Sequence, residues 1–159
     1  APKGELCATC HEQMQEGTLH APYEQKQCLI CHSPHSSDNR GQTRAPLNAL
    51  CLSCHGVRSV QGESAELFDS LRISRETFQQ IPKIVLDRSQ RIGHPFLEHP
   101  VAGRPDPLRK DQQMSCLSCH LQHTAPLPKL LQELWKEISV CDKCHDAAKA
   151  EKFKQKEKS

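Results

Sequence analysis

Cys28-Leu29-Ile30-Cys31-His32-Ser33-Pro34-His35 carries two thiols separated by two residues, an imidazole directly after the second, and another imidazole three residues further on. Thiols at that spacing can add across the two vinyl groups of one haem, and the adjoining His then lies under the iron as its proximal ligand. If the segment begins a helical turn, residues three apart lie about 5–6 Å apart on one face. Both imidazoles then share one side of the porphyrin. His35 is therefore expected to ligate a neighbouring haem, so that one stretch binds one cofactor and fixes the position of a second.

The same C-x-x-C-H pattern occurs five times, at Cys7/Cys10/His11, Cys28/Cys31/His32, Cys51/Cys54/His55, Cys116/Cys119/His120 and Cys141/Cys144/His145, and it uses every cysteine. Paired C-x-x-C also occurs in zinc ribbons, and ten cysteines can form disulfides. The His after each pair decides between these readings. With ten His in 159 residues, finding one after all five pairs by accident has odds of about one in a million, whereas haem attachment requires it. Five covalently held haems c are expected, with His11, His32, His55, His120 and His145 as proximal ligands.

Subtracting these leaves His20, His35, His94, His99 and His123, one for each haem. Five distal ligands is the natural reading, against the duller one in which one or two are surface residues. Met14 stands at the same offset from His11 as His35 and His123 from their proximal His. A sulfur ligand is the alternative there, although Met more often packs against a macrocycle.

Successive first cysteines are 21, 23, 65 and 25 residues apart. The chain thus reads as a single multihaem domain over 1–159, made of a three-haem part (1–60), an insertion without haem (61–93), a two-haem part (94–145) and a polar tail (146–159). His20-Ala21-Pro22 precedes one pair of sites and His99-Pro100-Val101 the other, so the second part looks like a partial repeat. Residues 56–91 hold no Cys or His and are expected to be mainly helical. Ser74 is placed to cap a helix Arg75 to Ile81, with Ile73 and Phe78 as a hydrophobic staple and Pro82 interrupting. Leu130, Leu131, Leu134, Trp135 and Ile138 read as a helical stripe behind Pro128. The tail from Ala147 alternates Lys and Glu around Phe153 and reads as a solvated or frayed helix.

Composition points the same way. Aromatic residues make up 4%, hydrophobic residues 36%, and mean hydropathy is -0.67, so the chain has little large apolar side-chain surface to bury. Five macrocycles, about one per 32 residues, would supply the missing interior. The formal charge is +2. Each oxidised haem adds roughly one net negative charge, bringing the loaded protein to about -3. This excludes a basic nucleic-acid binder and leaves many Lys and Arg to neutralise propionates. Nowhere does the sequence hold the run of about 18 apolar residues that a membrane-crossing helix needs, so no membrane insertion is expected. The chain opens on Ala1-Pro2-Lys3 with neither initiator Met nor apolar leader, as expected of an exported product, periplasmic or extracellular, after signal-peptide removal.

His20-Ala21-Pro22, Cys28 to His35 with Ser33-Pro34, Leu50-Cys51 to His55-Gly56, and Ser115-Cys116 to His123 resemble the doubled C-x-x-C-H multihaem cytochromes. That broad group contains periplasmic pentahaem electron donors and decahaem conduits. Gln122 in place of a residue like Pro34, and the long insertion, depart from the pattern. The resemblance implies a mainly irregular fold with short α-helices, stacked haems filling the core, and little or no β-sheet. Bis-imidazole ligation leaves no open coordination site and lowers the potential, so an electron carrier is expected, not an enzyme, exchanging electrons with redox protein partners. By the repeat, His35 pairs with the haem at Cys51/Cys54 and His123 with that at Cys141/Cys144, leaving His20, His94 and His99 for the others. The haems are expected to form one continuous chain with a surface edge at each end. Two rivals stand beside this reading: a reductase with one open haem, for which no C-x-x-C-Lys site is present, and a head-to-tail polymer of the chain with itself.

Overall fold

Short apolar runs, repeatedly broken by Pro and Gly, leave this chain with small elements joined by long irregular segments. The computed structural model describes residues 4–68, 71–84, 105–106 and 109–132. Cys141, Cys144, His145, His94, His99, Leu134, Trp135, Ile138 and the tail lie outside the described residues. The chain divides into two compact units, Ala1–Cys7 with Lys26–Pro100, and Ala8–Gln25 with Val101–Ser159.

In the first unit, helix α1 spans Glu5–Ala8 and carries Cys7. After a single 3-10 turn over Cys28–Ile30, an irregular stretch leads to a second 3-10 turn at Arg40–Gln42. The helix numbered α3 covers Leu47–His55. It begins behind Pro46, whose extended backbone suits a helix start, and it holds the whole of Cys51-Leu52-Ser53-Cys54-His55.

Beyond α3 the expectation of a mainly helical insertion is corrected. Strands β2 (Ser64–Glu66) and β3 (Arg72–Ser74) pair antiparallel with Ala65 opposite Ile73, and only then does α4 (Arg75–Gln80) follow. Pairing with a partner several residues away overrides a local sequence that has no strong strand signal. The cap at Ser74 is present: its Oγ accepts from Thr77 N–H at 3.1 Å, satisfying one of the orphan donors of the first turn.

In the second unit, β1 (Thr18–Leu19) pairs antiparallel with β4 (Thr124–Ala125), and the ladder continues with His20 N–H donating to His123 O at 2.9 Å. Gly17 makes the approach. Its φ is +84°, and a Cβ there would meet Ala125 O at 2.5 Å, so only glycine fits. Helix α2 (Ala21–Glu24) starts directly after His20 with Pro22 in its first turn.

The helical stripe expected behind Pro128 is also corrected where it is described. Pro128–Leu130 is one 3-10 turn in which Lys129 and Leu130 take φ of 60° and 58°, and Leu131 is extended and bridges to His120. The backbone groups a helix would have used are engaged elsewhere: Leu121 N–H donates to Leu130 O and Gln132 N–H to Cys119 O.

The fold is mainly irregular with few short helices, as expected, together with two small antiparallel sheets. Among the described residues only Ala65, Phe78 and Ala125 are buried apolar residues, with Asp106 the one buried charged residue. Among the described residues no large side chain is fully buried.

Candidate haem-attachment sites

The two best-described motifs are built alike. At Cys28–Ile30 and Cys116–Ser118 a 3-10 turn brings the two cysteines of each motif together, and the carbonyl of the first cysteine accepts from the following His N–H at 3.0 Å in both. The chain then returns nine residues later. His32 Nδ1 meets Gly41 O at 2.8 Å and His120 Nδ1 meets Lys129 O at 2.9 Å. Arg44 N–H and Gln132 N–H donate to the carbonyls of Cys31 and Cys119. The side chains of the same two residues reach the residue after the first cysteine, Arg44 Nε to Leu29 O at 2.8 Å and Gln132 Nε2 to Leu117 O at 2.7 Å. Each of these bonds in one clasp has its counterpart in the other.

The second clasp has an extra anchor. Ser115 and Ser118 cap the 3-10 turn reciprocally, Ser118 Oγ donates to the buried Asp106 carboxylate at 2.6 Å, and Arg109 donates to Leu117 O.

The third motif lies on α3 and is clasped from farther away. His55 Nδ1 meets Pro82 O at 2.8 Å, and Ile84 N–H donates to His55 O at 2.9 Å. Lys83 Nζ donates to Cys54 O at 2.6 Å and lies 3.4 Å from the centre of the Phe78 ring, over which Arg58 also sits at 4.8 Å. Arg58 in turn donates to Ser53 O and Glu66 O. Burial pulls the Lys83 ammonium below its ordinary pKa, with the nearby Arg58 adding to this and a Cys54 thiolate opposing it.

These contacts fix chemistry. A carbonyl only accepts, so Nδ1 of His32, His55 and His120 carries the proton and Nε2 carries the lone pair that iron requires. His20 shares this state, with Nδ1 3.0 Å from Gln122 O. It stands beside His123, whose ring stacks on Tyr23 at 4.6 Å. Tyr23 is held in turn, its hydroxyl accepting from Met14 N–H at 2.8 Å and its carbonyl from Gln13 Nε2.

The helical turn expected to run from Cys28 through His35 stops at Cys31. His32 leaves it to bridge Thr43, so the same-face argument for His35 does not apply; His35 is exposed. Cys7 lies half-buried on α1, with Cys10 and His11 exposed after it.

The eight described cysteines are unbridged. Burial raises the Cys28 thiol pKa, with the charge of Cys7 adding to it. Burial first, then Cys54 and Cys28, push Cys31 up to about 11. Thiols so disposed favour an uncharged state, and a thioether is uncharged. Among the described residues no three His, Cys, Asp or Glu side chains gather to hold a bare ion.

Sequence reasoning found the cysteines and their His but missed the clasping segments, Gly41–Arg44, Pro82–Ile84 and Lys129–Gln132, and the Tyr23–His123 stack. Gly41 was a usable signal; Lys129 and Leu130 give none.

Paired thiols with an imidazole locked for Nε2 ligation are what covalent haem needs, and they define a multihaem c-type cytochrome. The family described as Doubled CXXCH motif matches residues 20–59 and 106–150, just over half of the chain, and the chain belongs to it. No curated protein and no solved structure matches it significantly.

Proposed function

We propose that the chain is a five-haem, bis-histidine cytochrome that carries electrons between redox proteins outside the cytoplasm. The observation that carries this reading is the common state of His20, His32, His55 and His120, each with Nδ1–H on a backbone carbonyl, the tautomer in which Nε2 carries the lone pair that iron would take. His20 adds to the pattern because it follows no cysteine pair, yet it is prepared as the proximal His are.

Haem bound between two imidazoles supplies one-electron exchange at low potential. The chain does the rest. Its cysteine pairs would tie each macrocycle at two points, and backbone carbonyls hold the rings of His32, His55 and His120 in one tautomer and orientation. Ten His for five motifs supply two axial ligands apiece, which leaves substrate no coordination site. The scarcity of buried side chains supports the haems as the interior. Export fits thioether attachment and ten cysteines, and among the described residues no helix is long and apolar enough to cross a membrane.

The mass of the mature protein, with its ferrous spectrum before and after carbon monoxide, tests the reading. Five haem masses and an unchanged spectrum are expected. A high-spin haem that binds carbon monoxide stoichiometrically would favour a reductase instead.

A further inference from the structure

The second cysteine of each described clasp offers its carbonyl to a donor, and the donors differ. Cys31 O and Cys119 O accept backbone N–H groups, from Arg44 and Gln132. Cys54 O accepts the Lys83 ammonium. At the other two clasps a guanidinium bonds inside the cysteine loop, Arg44 on Leu29 O and Arg109 on Leu117 O; at the third an ammonium takes the second cysteine's own carbonyl, one residue from the proximal ligand His55.

Lys83 is built in. It is half-buried and is bracketed by Pro82 and Ile84, whose backbone groups bond His55. Its Nζ faces the buried Phe78 ring, and a cation over an aromatic face is favoured most when desolvated. Phe78 belongs to α4, which Ser74 caps. The hairpin, the helix and the return segment therefore converge on one outcome, an ammonium fixed against the end of α3.

We propose that Lys83 sets the reduction potential of the haem at Cys51/Cys54, holding it above the value the same site would have with a neutral donor on Cys54 O. This rests on the five-haem reading above. When one electron from a donor protein reduces an oxidised haem, the net positive charge at iron falls by one. A fixed positive charge nearby disfavours the oxidised form and leaves the reduced form less affected. The insertion is then the device that sets how readily this haem takes the electron.

The test is a mediated spectroelectrochemical titration of the intact loaded protein, its Lys83→Gln and its Lys83→Arg variants. The haem at Cys51/Cys54 is assigned by NMR contacts to the β-protons of those cysteines. Gln keeps a donor for Cys54 O and removes the charge. It should raise the oxidised-to-reduced ratio of that haem at fixed potential by about three- to tenfold, a fall of about 30–60 mV for a one-electron couple. Arg should restore most of the shift. Potentials that all match the parent, a shift confined to another haem, or an Arg variant displaced as far as Gln would each overturn the role of Lys83. A parent protein whose mass lacks haem at this site would bring down the five-haem reading itself, a distinguishable failure.

Discussion

The clasps at 28–44 and 116–132 make the same hydrogen bonds with different residues. Gly41 and Lys129 both present their carbonyls to a proximal His from the left-handed region, at φ of 71° and 60°. Glycine takes that conformation without cost, whereas a side chain pays roughly 1–2 kcal/mol. Arg44 and Gln132 each bridge to the loop between the cysteines, one with a charged donor and one with a neutral donor. Thr43 and Leu131 both bridge back to the His. The two regions agree in backbone path and carbonyl position, which are what fix the Nδ1–H tautomer of each His, and differ in nearly every side chain that delivers them. The motif on α3 reaches the same end with a carbonyl 27 residues on, so the requirement is the acceptor and not the turn that supplies it.

Removing haem should erase the comparison altogether. With only Ala65, Phe78 and Ala125 as buried apolar side chains among the described residues, the polypeptide lacks the apolar burial that offsets chain entropy. The haem-free chain should show no cooperative thermal transition by circular dichroism. A sharp transition in the apoprotein would mean that both clasps fold unaided.

Arg44→Ala should cost the loaded protein about 2 kcal/mol, as expected for a part-buried bond from a charged donor, read from guanidinium unfolding. Gln132→Ala should cost about 1 kcal/mol or less, because its bond is neutral and Leu117 O keeps Arg109 as a donor. Equal losses would show that the charge on Arg44 has no part in the first clasp.

Gly41→Ala should destabilise by about 1 kcal/mol, since its Cβ meets no neighbour but its φ is unfavourable. The reciprocal change, Lys129→Gly, should have the smallest effect and the opposite sign, a stabilisation of about 0.5 kcal/mol. If Lys129→Gly destabilises, the Lys side chain does something in the second clasp that the backbone comparison does not capture.

Cysteine pairs with their adjoining His are covalent chemistry written in consecutive residues, so the attachment chemistry and the poverty of apolar surface were legible from one dimension. The cap at Ser74 was legible for the same reason, because Ser74 and Thr77 are three residues apart on one local turn. Which carbonyl holds each imidazole was not. Pro82 reaches His55 across a hairpin, Gln122 reaches His20 across 102 residues, and Lys129 bends against its own preference to face His120. Each is a backbone acceptor, and every residue carries the same carbonyl. Composition and motif therefore cannot single one out, and only the folded path of the chain brings the chosen carbonyl to the ring.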